Sequence, residues 1–329
     1  MDIERLIDAN FSGVVSVRQN GKTTFQKAYG YADLPNRIPN EVDTKFATAS
    51  AGKAFVAAGV LKLIEQGRLD FDSAIGALLD FDLKAIDRQI TVRQLLTHTS
   101  GIPDYFDESV MDEYADLWRD FPNYRIRASA DLLPLFIDKP MMYPPSERFQ
   151  YSNSGYVVLG LIIEKVIGVP FDGYLADAVF KPCGMANTGY YELDRLPAKC
   201  ANAYIYDEAR GEHYTNIYSV DAKGTGAGGA FTTVVDVERF WDGLLGGAII
   251  SDSLVREMLT SQVDSREYGY GMWLSERGGA LIPYFQGADP GVSFISSCDP
   301  QTRTTITLVS NFGSDVWTLH DKIGAQIGR

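Results

Sequence analysis

Strand-like stretches occupy both ends of this 329-residue chain, and a long helical stretch lies between them. Near the N-terminus, "GVVSVRQNGKTTFQKAYGYA" (13–32) holds two β-rich runs around Asn20-Gly21, a strong hairpin signal. Residues 45–49 read as a short strand leading into a helix. From about residue 201 the strand pattern returns in "NAYIYDE", "EHYTNIYSV", "YGYGMWLS", "VSFISSCD" and "TTITLVSNF". Between 71 and 200 the periodicity is mostly helical with long loops, as in "TVRQLLTHTSGI", "SADLLPLFI" and "SGYVVLGLIIEKVIG". Residues 2–10, 232–245 and 315–327 also read as helices, the second with Thr232 or Thr233 as its N-cap. The predicted fold class is α+β. Residues 1–70 and 201–329 form one discontinuous domain around an antiparallel sheet, and residues 71–200 are inserted as a mainly helical lobe.

Composition narrows the partners. With 45% apolar and 12% aromatic residues there is ample material for a core. A net charge of -13 and a pI near 4.7 repel phosphate backbones, so no nucleic acid is expected to bind. No run approaches the roughly 18 to 20 apolar residues of a membrane span. The start "MDIERLIDANF" is acidic and amphipathic, unlike a secretory signal. A cytoplasmic location is the expectation, with export left open if a leader has been removed. Cys183, Cys200 and Cys298 form no C-x-x-C, and reduced thiols are expected, with a Cys183–Cys200 bridge as the alternative. His98, His213 and His320 are the only histidines and no H-E-x-x-H occurs, so neither a metal site nor a cofactor is expected.

The stretch "FATASAGKAFVAAGVLKLIEQG" (46–67) carries the first chemical signal. Ala54 to Leu61 lack any polar side chain, Gly67 sits at the C′ position, and Lys53 stands at the head, three residues after Ser50. That spacing puts Ser50 and Lys53 on one face of a helix. An ordinary Lys is a neutral base in only about one molecule in 2,500 at pH 7. Bringing its pKa to neutrality takes roughly 3.4 units, or ~4.6 kcal/mol, which an apolar helix at the floor of a cleft can largely supply. A neutral Lys53 then removes the Ser50 proton and makes a nucleophile. The Ser50 N–H, near the positive end of the helix, can point at a developing oxyanion. S-x-x-K arises by chance in chains of this length, so the motif needs company. Tyr151-Ser152-Asn153 supplies it, in a turn-like stretch before an apolar helix. The phenol can shuttle a proton to a leaving group, and the amide can hold Lys53 or the substrate. A second Y-x-N, Tyr214 to Asn216, lies in strand pattern and is set aside.

Together with "LLTHTSGI" (95–102), "GAGGAFTTVVDVERF" (226–240) and "GYGMW" (269–273), these motifs resemble the serine β-lactamase and penicillin-binding protein family. The nearest branch is that of class C β-lactamases, D-alanyl-D-alanine carboxypeptidases and related esterases. The resemblance runs in order from about residue 12 to 312. It implies helices flanking the sheet, a cleft between sheet and helical lobe, and no metal. It implies Ser50 as nucleophile, Lys53 as its base partner, Tyr151 as general base and acid, and Asn153 as a positioning group. The family's K-T-G or H-T-G motif falls on Phe285-Gln286-Gly287, so the usual cation or imidazole is missing. Gly287 still allows close backbone approach, and the resemblance makes the Ala288 N–H the second oxyanion donor after Ser50. Ser146 stands where relatives often have Gly. The expected activity is a serine acyl-hydrolase that avoids carboxylate-bearing substrates. The alternative is a penicillin- or peptide-binding protein with slow or no turnover. A third reading, an α/β-hydrolase-type esterase with a Ser-His-Asp triad, is disfavoured, since no G-x-S-x-G elbow occurs. The acidic, aromatic stretch 103–127 is either a pocket rim, with Tyr105, Phe106 and Trp118 facing the substrate, or a surface helix. His98 is expected to be structural.

Overall fold

A computed structural model describes residues 3–264 and 267–328. Its centre is a six-stranded antiparallel sheet. The strands are β1 (Gly13–Gln19), β2 (Lys22–Tyr29), β3 (Trp273–Arg277), β4 (Ala280–Asp289), β5 (Val292–Asp299) and β6 (Thr304–Ser310), in the order β2-β1-β6-β5-β4-β3. The first strand pairs with the last, Gly13 opposite Ser310 and Val17 opposite Ile306. The two ends of the chain thus make one sheet, as the strand pattern predicts. The hairpin turn at Asn20-Gly21 has φ of +52° and +73°, the left-handed pair that Asn-Gly provides most readily. Of the expected N-terminal helix only a 3₁₀ turn, Ile3–Leu6, forms; Asp2 lies outside the described residues.

Helices cover both faces. On one, Val15, Val17, Ile306 and Leu308 pack against Val316, Leu319 and Ile323 of the helix Val316–Gln326. On the other, Val14, Phe285, Phe294 and Val309 join the main core with Phe55, Phe240 and Trp241. This alternation is the period of two that a sheet buried on both sides requires. Helix α1 (Lys53–Glu65) runs through the main core with Lys53 to Leu61 all buried. Helix α2 (Asn153–Ile167) crosses beside it and is buried from Asn153 to Ile163. A helix apolar on every side is stable only in such surroundings.

Two expectations are modified. "NAYIYDE" and "EHYTNIYSV" form a separate hairpin, Tyr204–Asp207 with Glu212–Thr215, outside the main sheet, and Tyr206 and Tyr214 stay exposed. Residues 71–200 contain no strand, but α2 is their one long helix. Much of the rest is loop and 3₁₀ turn, including Tyr114–Trp118 and Ser129–Leu135. The thiols of Cys183 and Cys200 are free. Among the described residues no single helix is long and apolar enough to cross a membrane.

Candidate active site

The turn that carries Ser50 is tightly held. Ser50 lies in a 3₁₀ turn, Ala49–Gly52, that feeds directly into α1. Ala49 just before it has φ of +47°, a left-handed conformation that costs a non-glycine residue roughly 1 kcal/mol or more. Two glycines let the neighbouring chain close in. A Cβ on Gly228 would lie 2.4 Å from the Ala49 carbonyl oxygen, and one on Gly287 would lie 2.6 Å from the Ser50 nitrogen. Gly287 therefore serves the approach of β4 to the Ser50 turn.

Lys53 is 2% exposed. Its Nζ donates to Ser50 Oγ at 3.0 Å, to Asn153 Oδ1 at 2.8 Å and to the Ala227 carbonyl at 2.5 Å. These three acceptors match the three protons of an ammonium. Burial nevertheless lowers its pKa to about 8, against the pull of Glu108, Asp104, Asp289 and Asp221. At pH 7 about one molecule in ten then has a neutral Lys53, against one in 2,500 for an exposed lysine.

Tyr151 and Asn153 converge on this pair from the start of α2. Ser152 between them is the N-cap, its Oγ accepting from the Gly155 N–H at 3.1 Å. The Tyr151 phenol reaches the Ser50 hydroxyl, and burial holds it well above its usual pKa, so it is protonated at neutral pH. Lys53 Nζ stands 4.9 Å from the centre of its ring. The ring lies between His98, 4.5 Å away, and Trp273, stacked at 5.9 Å. The Ser152 N–H donates to His98 Nδ1, so the proton sits on Nε2 and faces the Tyr268 hydroxyl at 3.0 Å. Burial pushes the His98 pKa well down, so this imidazole is a neutral spacer that fixes Tyr151.

Asp104 gave no sequence signal, because nothing in "SGIPDYF" links it to a residue 49 positions away. Its carboxylate accepts from the backbone N–H of Asn153 and of Ser154 at 2.9 Å each, and from Ser154 Oγ at 3.0 Å. The Asn153 side-chain amide donates toward the same carboxylate at 3.4 Å and to the Phe106 carbonyl at 3.3 Å. Both amide protons are thereby occupied and Oδ1 is left facing Lys53. Burial raises the Asp104 pKa to about 6.

A cavity of about 190 Å³ opens at Ser50. Tyr105, Phe106 and Tyr114 line it, while Trp118 donates to the Ser219 carbonyl. The stretch 103–127 is thus a pocket rim through its first half. Gly287 and Ala288 lie along the outer cleft, where Gln286 is held through Oε1 by Trp317 at 2.8 Å. Phe285 corrects the expectation. It is 1% exposed and packs among Phe55, Phe240, Trp241 and Phe294, so its ring belongs to the core and not to the substrate. Ser146 has φ of +68°, which explains why glycine suits that position. Glu108, Asp221 and Asp289 also line the Ser50 cavity; no sequence pattern links them, because they are scattered over 182 positions. Apart from Lys53 at the floor, no lysine or arginine among the described residues lines the cleft.

The family model for Beta-lactamase matches residues 3–322. This chain belongs to that family. It is 28% identical over 307 residues, 93% of its length and 72% of the relative's, to the putative penicillin-binding protein PbpX of Bacillus subtilis. Among solved structures it is similar to a penicillin-binding protein from Bacillus halodurans, with 37% identity, a TM-score of 0.94 and coverage of 98% and 99% of the two chains. A D-amino acid amidase from Ochrobactrum anthropi shares the fold, with a TM-score of 0.80 at 23% identity over the full length of both chains. The mixed architecture and its large antiparallel sheet are those of the β-lactamase and penicillin-binding protein fold.

Proposed function

We propose that this protein is a serine hydrolase that cleaves an ester, an amide or a D-amino-acid peptide bond through an acyl-enzyme on Ser50. The observation that carries the reading is the buried Lys53, its pKa lowered to about 8, 3.0 Å from Ser50 Oγ. Lys53 in its neutral form takes the Ser50 proton as Oγ bonds to the substrate carbonyl carbon. The Ser50 and Ala288 N–H groups hold the oxyanion. The C–N or C–O bond then breaks, the leaving group takes a proton through Tyr151, and the acyl group stays on Ser50. In the second half water attacks the acyl carbon and gives up a proton to Lys53 or Tyr151; the bond to Oγ breaks, Oγ takes that proton back, and the carboxylic acid leaves. A protonated Tyr151 suits the role of donor, which leaves Lys53 as the base. Asn153 orients the lysine. The sheet regions 1–70 and 201–329 supply Ser50, Lys53 and Ala288, and the lobe 71–200 supplies Tyr151 and Asn153. Gln286 and Gly287 form the edge along which substrate lies.

The names of the relatives point to acyl donors of the penicillin or D-amino acid amide type. The cation-free cleft favours acyl groups without a carboxylate, so β-lactams are expected to be poor substrates. A fluorophosphonate should label the wild type and not Ser50→Ala, and a p-nitrophenyl ester should be turned over many times per chain. Labelling that persists in Ser50→Ala overturns the assignment. Labelling with a single turnover favours a binding protein of the same fold.

A further inference from the structure

The wall of the Ser50 cavity is chemically lopsided. Glu108, Asp221 and Asp289 line it together with Tyr105, Phe106, Tyr114 and several alanines and glycines. Elsewhere the partly buried acids have partners. Asp236 pairs with Arg239, Glu238 with Arg18, and Asp172 with Lys223. On the cavity wall, Asp221 accepts one hydrogen bond, from the Tyr114 hydroxyl at 3.0 Å. Glu108 and Asp289 have neither a side-chain hydrogen bond nor an ion pair among the described residues. Burial raises Asp221 to about 7 and Asp289 to about 8, a rise that the positive charge of Lys53 on the floor offsets only in part. No three His, Cys, Asp or Glu among the described residues converge as a metal site would require. The acids are spread around the cavity, and the cavity holds an activated nucleophile, so its occupant is an acyl donor.

We propose that this acyl donor carries a primary ammonium, and that Asp289, with Glu108 and Asp221, is the counter-charge that selects it. The inference rests on the acyl-hydrolase reading and adds the substrate class, α-aminoacyl amides and esters with a free amine. Asp289 follows Ala288 directly, so the strand that offers the oxyanion its N–H also presents a carboxylate one residue away. An α-ammonium is one carbon from the carbonyl under attack, which suits that arrangement. An acyl group with a carboxylate meets three acids and no cation on the same wall. The bond cleaved and the fate of each proton are those given above, with water as co-reactant.

The test uses three p-nitroanilides of similar size: alanyl, in D and L forms, propionyl, and succinyl. They carry an ammonium, no charge and a carboxylate. For the better alanyl enantiomer, kcat/KM should exceed that for propionyl by about 10- to 100-fold at low salt, with succinyl the poorest. Added salt should shrink the preference. In Asp289→Asn and in Glu108→Gln the alanyl-to-propionyl ratio, taken within each variant so that general losses cancel, should fall several-fold. If the anilides turn over too slowly, inhibition of p-nitrophenyl acetate turnover by alaninamide, propionamide and succinamate decides in the same way. Equal treatment of the three acyl groups, or a preference for succinyl, overturns the proposal while leaving the acyl-hydrolase reading intact. Absence of both ester turnover and fluorophosphonate labelling defeats the acyl-hydrolase reading itself.

Discussion

The floor and the wall of one cavity are built on opposite rules. On the floor, the polar groups are paired within the chain: Lys53 with three acceptors, Asn153 with Lys53 and Phe106, and Asp104 with the N-terminus of α2. On the wall, the exposed Glu108 and the half-buried Asp221 and Asp289 have one side-chain hydrogen bond between them among the described residues, from the Tyr114 hydroxyl to Asp221. Buried polar groups are expensive unless satisfied. A satisfied group is held in one geometry, which a proton-transfer site needs. A group left without a partner stays open to a ligand, whose positive charge would favour its ionised form, at a cost in stability that functional sites commonly carry. The difference separates machinery from specificity inside about 190 Å³.

Breaking the floor should have the largest effects. Lys53→Ala and Tyr151→Phe should each lower ester turnover by roughly 10² or more, and the double variant should be little worse than either single one. A Tyr151→Phe enzyme with nearly normal turnover would remove that residue from the mechanism. Phe285→Lys tests which side of β4 the ring belongs to. It puts an ammonium among Phe55, Phe240 and Trp241 and should destabilise the fold by about 3 kcal/mol or more, without any gain in activity toward carboxylate-bearing substrates. A well-folded variant that gains such activity would show that the position faces the cleft after all.

Asp104→Asn should act more gently. The new amide sets donors against the N–H groups of Asn153 and Ser154, which should cost about 1 to 3 kcal/mol in a denaturant titration. Turnover should fall more than KM changes, because Asn153 would hold Lys53 less well. Asp289→Asn should do the reverse to stability. Because burial raises this carboxyl to about 8, its ionised form disfavours the folded state, and the penalty grows as pH rises from the ordinary carboxyl range to 8. The variant should melt about 2 °C higher at pH 8.5, with a smaller gain at pH 6. A lower Tm at pH 8.5 would mean that Asp289 is paired, and the contrast between floor and wall would fail.

The sequence made some parts of this molecule legible and left others hidden. Asn20-Gly21, the strand runs at both ends and the apolar stretch after Lys53 are local patterns whose physics is complete within a few residues. Ser50 with Lys53, and Tyr151 with Asn153, could be found because each pair is separated by only two or three positions. Asp104 could not, since its partners lie 49 and 50 residues away and capping by a distant carboxylate leaves no periodic trace. The wall acids were invisible for the same reason, being brought together only by the fold. Phe285 misled because strand alternation sends neighbouring residues to opposite faces. Gln286 reaches Trp317 and Phe285 packs in the core, while Gly287, Ala288 and Asp289 border the site.

The central claim is that Ser50 is acylated with a buried lysine as its base. The direct measurement is acid-quenched intact mass during turnover of a p-nitrophenyl ester, from pH 6 to 9, followed by digestion to locate the adduct. One acyl group should appear per chain, on the peptide containing Ser50. The base form of Lys53 grows as pH rises through its lowered pKa of about 8, so the rate of acylation should climb with pH, by about 5-fold from pH 7 to 8, and level off above. An adduct on any other residue, no adduct at all, or an acylation rate flat across that range would contradict the account.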